Sequence, residues 1–429
     1  MASRPSFLGM LTRLGRTMLS NPFRHQLPSF SPFPLSAAWG LLRATPDGNS
    51  AQVSGLEQLR LILEDTYGAE VTVLLNSGTQ ALSLGLMLSG AGREGLAPIA
   101  LPAYSCFDLA SAAIWANRPI VFYDLDPETL SPDPDSLLSV CGEERPVVVV
   151  APLFGVPPDW DLLTSLKASR GATILEDAAQ GFGGCWKGQA LGSLGSLSIL
   201  SFGRGKGWTG TGQGGALLLR DDDLIDLYNT SAEFRFTDGA DRKSNWRRQA
   251  IRCVALAGLA RPEFYRIPRS MPFLGLGETH YREPSRPQPM ARATAALIGA
   301  NYPASAAAAA ERQRNASEYR AVLRDDSHVA VVPQATTPSA ALSGFLRFPV
   351  LLPGGMRGFK DPKRARRLGA EAVYPKILPD LPQVRRLMDQ DHRSDSWPGA
   401  RRLARDLVTL PTHPLTTREE RDELTALIP

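Results

Sequence analysis

Two residues near the middle of the chain have the side chains and the setting that chemistry requires. Asp177 follows an apolar run from Ala172 to Leu175, inside Glu176-Asp177-Ala178-Ala179-Gln180. Lys206 follows a second run, Leu197 to Leu200, at the end of Ser201-Phe202-Gly203-Arg204-Gly205-Lys206. Both runs read as short buried strands bounded by glycine. A carboxylate and an amine therefore stand where strands stop and loops begin, the edge at which open α/β sheets collect ligands. A lysine there can offer an amine for a Schiff base, and a carboxylate can hold a ring nitrogen protonated. Taken singly, each reads as a solvated surface charge; the pair points to a site.

The surrounding chain must supply the frame. Val71 to Leu75 reads as a strand, Asn76-Ser77-Gly78-Thr79 as a small-residue turn, and Gln80 to Leu88 as a helix. That order presents free backbone N–H groups to a phosphate; its bland alternative is a tight turn. The blocks Leu101 to Phe107 and Ile120 to Asp126 repeat the strand–loop signal. The valines Val147 to Val150 begin another unit, whose helix Trp160 to Ser169 leads back to the strand ending at Asp177. Repetition of this kind through residue 200 predicts a largely parallel sheet covered by helices. Before it, Leu56 to Leu63 forms a helix that Gly68 ends. After Lys206, Gly207, Gly210, Gly212, Gly214 and Gly215 let backbone approach a ligand closely, and Ala216 to Leu219 is a strand. Helices are expected over Met290 to Ala300 and Ala304 to Leu323, and a strand over Leu346 to Leu352. A closing helix covers Arg418 to Ile428, capped by Thr416 or Thr417.

At 429 residues the chain exceeds one ordinary core, so two lobes are expected. A formal charge of +4 is too small to argue for nucleic acid. The four cysteines (Cys106, Cys141, Cys185, Cys253) form no C-x-x-C pair and the five histidines are dispersed. That argues against a zinc site, an iron–sulfur cluster or a disulfide framework and for a reducing compartment, and no metal is expected. No apolar stretch reaches the length of a membrane span. Residues 1–46 contain no acidic residue and five arginines, with an amphipathic pattern from Phe7 to Leu19. They read as an arm lying on the protein, with a transit peptide or peripheral membrane contact as alternatives. The basic stretch around Arg247, Arg248 and Arg252 reads as a helix packed on the body, with membrane contact again the alternative. A polar cluster, Gly277 to Tyr281, follows it.

The motif pattern resembles the DegT–StrS nucleotide-sugar aminotransferases, within the fold-type I pyridoxal phosphate (PLP) enzymes. The resemblance rests on Asp177-Ala178-Ala179-Gln180, on Ser201, Phe202 and Lys206, and on Gly212-Gln213-Gly214-Gly215. Similar blocks near 76–81, 101–126 and 397–428 extend it over most of the chain beyond residue 50. It implies an α/β fold with an N-terminal arm (1–49) and a large PLP-binding domain (50–285) carrying an atypical insert at about 230–285. A smaller α+β C-terminal domain (286–429) completes it.

By the same resemblance, Lys206 would bond PLP and move a proton between the substrate carbon and the cofactor. Asp177 would keep the pyridinium charged, its carboxyl held low by that cation. Gly78, Thr79 and Ser201 would hold the phosphate, and Gln180 the phenolic side. Cys106 occupies the place of a stacking aromatic, with Tyr104 or Phe107 as other candidates to cover the ring. Gln213 stands where Glu is usual, and Pro287 where an Asn often reaches across a dimer. The implied reaction moves an amino group from glutamate or glutamine to a nucleotide-linked keto-sugar, for surface polysaccharide or glycoconjugate synthesis, in a cytoplasmic homodimer. A sugar dehydratase of this family is an alternative that Lys206 argues against, since those enzymes replace the lysine with histidine. A silent sugar-binding protein is the other, suggested by Cys106 and Gln213.

Overall fold

The computed structural model describes residues 24–43, 49–91, 98–141, 145–234, 244–269, 281–283, 285–323, 330–331, 341–388 and 397–429. The amphipathic run 7–19 and the polar residues 277–280 lie outside them. In chain order come α1 (Leu35–Arg43), α2 (Asn49–Tyr67), β1 (Val71–Leu75), α3 (Gly78–Gly90), β2 (Ile99–Pro102), α4 (Phe107–Ala116) and β3 (Ile120–Tyr123). Then follow α5 (Pro134–Val140), β4 (Val147–Val150), α6 (Trp160–Arg170), β5 (Thr173–Asp177), the short β6 (Cys185–Trp186) and β7 (Gln189–Ala190), β8 (Leu197–Ser201) and β9 (Gly215–Leu219). The remainder comprises α7 (Asp222–Thr230), α8 (Ser244–Leu259), α9 (Arg292–Ala300), α10 (Tyr302–Leu323), β10 (Ala330–Val331), β11 (Ala341–Leu342), β12 (Phe348–Leu351), α11 (Pro362–Arg367), α12 (Pro398–Asp406), β13 (Leu407–Leu410) and α13 (Arg418–Ala426).

Seven strands form one sheet in the order β1-β9-β8-β5-β4-β2-β3. From β8 through β3 all neighbours are parallel, while β9 runs antiparallel between β1 and β8. The strands are nearly unbroken apolar runs, and Val147 to Val149 and Leu217 to Leu219 are fully buried. Such strands need cover on both faces, which the helices give. The mostly parallel sheet expected from the strand–helix repeats is what forms. The exception, β9, has a direct cause. The connection from Ser201 to Gly215 contains no helix that could carry the chain back to the far end, so the next strand must run the opposite way.

Helix α3 is buried on nearly every side from Gln80 to Leu86 and packs against β8 and β9. On the other face α2 and α9 pack together over Leu74 and Leu218, through Leu59, Leu63 and Ile298. The basic helix α8 also lies on the body. Its Ala250 and Cys253 are fully buried against Ala38 of α1 and Leu297 of α9. Its Ile251 faces outward. A second, antiparallel sheet, β10-β12-β13, follows in the C-terminal part. Helix α13 starts at Thr417, whose hydroxyl accepts the Glu420 amide while the Glu420 carboxylate accepts that of Thr417. This reciprocal cap decides between Thr416 and Thr417. Among the described residues, no helix is long and apolar enough to cross a membrane.

Candidate active site

Strand alternation sends Glu176 and Asp177 to opposite faces of β5, and each meets a different fate. Glu176 is fully buried and accepts from the amides of Gly192 at 2.6 Å and Leu194 at 3.1 Å. Arg220 braces the same turn, donating to the carbonyl of Gly192 and to the Ser198 hydroxyl. Burial pushes the Glu176 carboxyl up to about 7, against the pull of those amides and of Arg220. It is a tether. Asp177 lines an open cleft and takes a hydrogen bond from the Ala179 amide at 3.2 Å. Burial raises its carboxyl, and the Lys206 charge and the Ala179 amide pull it back. The depression expected from a pyridinium is therefore not present in the chain alone. A cationic ligand beside this buried carboxyl would lower it further, as Lys206 already does.

Lys206 enters the same cleft from the loop after β8. Its amide donates to the Gly203 carbonyl at 3.3 Å. Beyond it, Trp208 is buried and donates to the Ile298 carbonyl at 2.8 Å, and Thr209 ties back to the Phe202 carbonyl at 2.7 Å. The glycine stretch then joins this loop to the turn after β1. Gly214, with φ +112, donates to the Asn76 carbonyl at 3.0 Å and accepts from Phe202 at 2.9 Å. Gln213 bonds outward, accepting from Arg252 of α8 and reaching Thr294 of α9 at 3.5 Å.

At that turn Ser77 caps α3 by accepting from Gln80, so the helix starts at Gly78 rather than Gln80. Gly78, Thr79 and Ser201 all line the cleft. A Cβ at Gly78 would lie 2.6 Å from Ser201 Cβ and 2.8 Å from its Oγ. Glycine alone lets strand β8 and the helix start close to this distance, which sets the Ser201 hydroxyl beside a helix N-terminus. That geometry would cradle an anion. The Gln80 side chain, meanwhile, holds Ser285 at 3.0 Å and the Gln288 amide at 3.1 Å. The buried Pro287 thus sits in a segment tied to the turn. Gly78→Ala should weaken PLP binding by about 1–3 kcal/mol, an overpacking cost at the cradle. Pyridoxal, which lacks the phosphate, should lose less; an equal loss for both would place the phosphate elsewhere.

On the ring side, Cys106 lines the cleft, whereas Tyr104 and Phe107 do not. Both of those pack in the core against Tyr374, with ring centroids 5.3 and 6.4 Å away. They are not available to stack. Burial and the nearby Asp108 carboxylate push the Cys106 thiol up to about 12, so it stays protonated near neutrality. Gln180 lines the cleft, and its side chain is engaged by the Phe154 amide at 3.0 Å and the Tyr374 hydroxyl at 2.9 Å. Phe154 is held at φ +59, a strained conformation for a buried aromatic, next to the cleft residue Leu153.

Sequence reading missed three lining or supporting residues. Asp108 and Ser105 line the cleft, and the Ser105 hydroxyl is buried without a hydrogen-bond partner. Tyr374 comes from a distant segment with no motif. Asp108 had a local signal, as an acid at the start of a helix that follows a strand. The residues present fit PLP. A cradle shaped by Gly78, an unpartnered Ser105 hydroxyl and a buried carboxylate in one cleft with a lysine match a phosphorylated, cationic ring. Among the described residues, no group of three or more metal-ligating side chains occurs.

A family model described as the DegT/DnrJ/EryC1/StrS aminotransferase family matches residues 53–428. The L-glutamine:2-deoxy-scyllo-inosose aminotransferase of Streptomyces fradiae is 32% identical over 160 residues, 37% of this chain and 37% of that one. The UDP-2-acetamido-2-deoxy-3-oxo-D-glucuronate aminotransferase of Pseudomonas aeruginosa is 27% identical over 185 residues, 43% of this chain and 51% of that one. The chain thus matches about half, or less, of the length of these curated relatives. The crystal structure of the sugar aminotransferase CalS13 from Micromonospora echinospora has a similar fold, with TM-score 0.68 at 20% identity, over 94% of this chain and 98% of that one.

Proposed function

The chain belongs to the DegT/DnrJ/EryC1/StrS aminotransferase family, a family of PLP enzymes, and from that premise we propose that it transfers an amino group from glutamate or glutamine to a keto-sugar carried on a nucleotide. One observation carries the reading: Lys206 and the buried Asp177 line the same cleft, beside an anion cradle at Gly78. PLP, when bound, supplies an electron-withdrawing ring conjugated to the reacting carbon. The chain's residues do the rest. The Lys206 amine would hold the cofactor and then hold or move the proton at the substrate carbon. Asp177 would keep a positive charge on the ring nitrogen. The amides of Gly78 and Thr79, with the Ser201 hydroxyl, would hold the phosphate. Pro152 and Leu153 form an apolar wall that limits water.

The UDP-sugar in the name of the Pseudomonas relative supports a nucleotide-linked acceptor, and the glutamine in the Streptomyces name supports that donor. The inosose in the latter name favours a second reading, a free cyclitol ketone as acceptor. A role in polysaccharide or glycoconjugate synthesis, a cytoplasmic setting and a homodimer with the cleft at its interface belong to the same proposal. So does a division of the chain near residue 286, although α9 beyond that point packs on α2. The test is spectroscopic. Holoenzyme absorbance of the lysine-bound cofactor should bleach with glutamine or glutamate and return with the acceptor. A panel of UDP-keto-sugars and inososes separates the two acceptors. Holoenzyme that bleaches with neither donor sinks the proposal and favours a binding protein.

A further inference from the structure

We propose that Ser31, assisted by Ser29, is a positioning residue for Lys206, acting from a strap of chain (24–34) laid against the lysine loop. The inference rests on Lys206 being the cofactor lysine. The Ser31 hydroxyl donates to the carbonyl of Lys206 itself, and the Ser29 hydroxyl donates to that of Gly205 at 3.1 Å. With the Lys206 amide already bonded to Gly203 within the loop, both polar groups of the lysine backbone are held. Among the described hydrogen bonds, the two from the strap are the ones that reach Gly205 and Lys206 from outside the loop. Ser31 and Ser29 are 3% and 8% exposed, so water does not compete strongly for these carbonyls.

The loop needs such a hold. Gly203, Gly205, Gly207 and Gly210 surround the lysine, and glycine loses more conformational freedom on ordering than any other residue. Gly205 sits at φ +75, and a Cβ there would meet Ser29 Oγ at 2.9 Å, so the strap lies in direct contact. The anchors at Trp208 and Thr209 fix the chain two residues later and do not touch the lysine peptide itself.

The strap is fastened at both ends. His413, fully buried, donates from Nε2 to the Leu27 carbonyl at 2.8 Å. Gln26 donates to the Leu415 carbonyl at 2.8 Å, and the Gln26 amide donates to the Arg367 carbonyl at 2.9 Å. At the far end Asn301 donates to the Pro32 carbonyl at 2.7 Å. A fixed strap converts two hydroxyl contacts into a defined placement of the Lys206 Cα, and a displacement of about 1 Å at a reacting group can cost about 10²-fold in rate.

The test compares Ser31→Ala, Ser29→Ala and Ser31→Thr holoenzymes with wild type. Three quantities are read: the pH midpoint of the lysine-bound cofactor absorbance, its bleaching rate with glutamine, and the melting temperature without cofactor. Ser31→Ala should keep the linkage but move the midpoint and slow bleaching about ten- to a hundredfold. Ser29→Ala should move both less, and Ser31→Thr, which keeps the hydroxyl, should restore them towards wild type. Wild-type midpoint and rate in both alanine variants would overturn the proposal, whatever their melting temperatures, because the strap would then only stabilise. Lys206→Ala is the separate control. A reducible cofactor linkage surviving in that variant refutes the lysine assignment and leaves the strap without its target.

Discussion

Lys206→Ala loses the absorbance of the lysine-bound cofactor and loses turnover, while the apoprotein keeps its fold. Lys206 is the lysine that lines the cleft among the described residues, and it sits in a half-buried loop rather than in the core. Truncating that side chain removes no core packing, although it takes away the charge that pulls the buried Asp177 carboxyl down. The chemical loss is far larger. The amine forms the covalent bond to the cofactor and also carries the proton, and proton transfer by a positioned group alone is worth about 10²–10⁴-fold. Borohydride reduction followed by intact-mass measurement checks the assignment. Wild type should gain one cofactor mass and the alanine variant none. A labelled alanine variant would move the anchor to another lysine.

Asp177→Asn keeps the shape of the side chain and removes its charge. Turnover is expected to fall by several orders of magnitude, and PLP affinity to drop by about 3–5 kcal/mol, the usual cost of removing one member of a buried ion pair. The pH dependence gives a second signature. Burial raises the Asp177 carboxyl in the unliganded chain, and a bound cation lowers it, so binding favours the ionised form. Wild-type affinity should therefore be full above the raised, unliganded value and decline as pH falls through it. The Asn variant has no such proton to lose and should lack this limb. Near-normal transamination by the variant, or an unchanged acid limb of cofactor affinity, would falsify the role.

Much of this was legible in the sequence because strand-end motifs are local. Asp177, Gln180, Ser201 and Lys206 lie within one stretch, and the small residues at Gly78 and Thr79 announce their turn by composition. Those positions need only a strand, a stop and the right side chain. Contacts made across the chain were not legible. Nothing around Tyr374 marks it as the partner of Gln180, because that pairing exists only once two distant segments meet. The same holds for Ser31 on Lys206. The stacking question was open for a related reason. A shift of one position within Tyr104 to Phe107 changes which side chain faces the cleft, and only the start of α4 at Phe107 fixes Cys106 there. The lone antiparallel strand was likewise not foreseen, since β9 has the same apolar composition as its parallel neighbours.

That strand orders events in time. Among the described strands, β1 reaches the sheet only through β9, which pairs residue 71 with residue 219 on one side and Ser201 with Gly215 on the other. While a chain is being made, the turn after β1 exists long before β9 does. Until β9 arrives, β1 lacks a strand neighbour in this sheet and Gly214 is not bonded to Asn76, so the cradle meets the lysine strand only through α3 packed on β8. Pairings this far apart in sequence form late, because loop closure must come before any contact rewards it. The hydrogen bonding that fixes the two halves of the cofactor site together is therefore completed late in sheet assembly. A ligand that binds only the joined form stabilises that form by mass action.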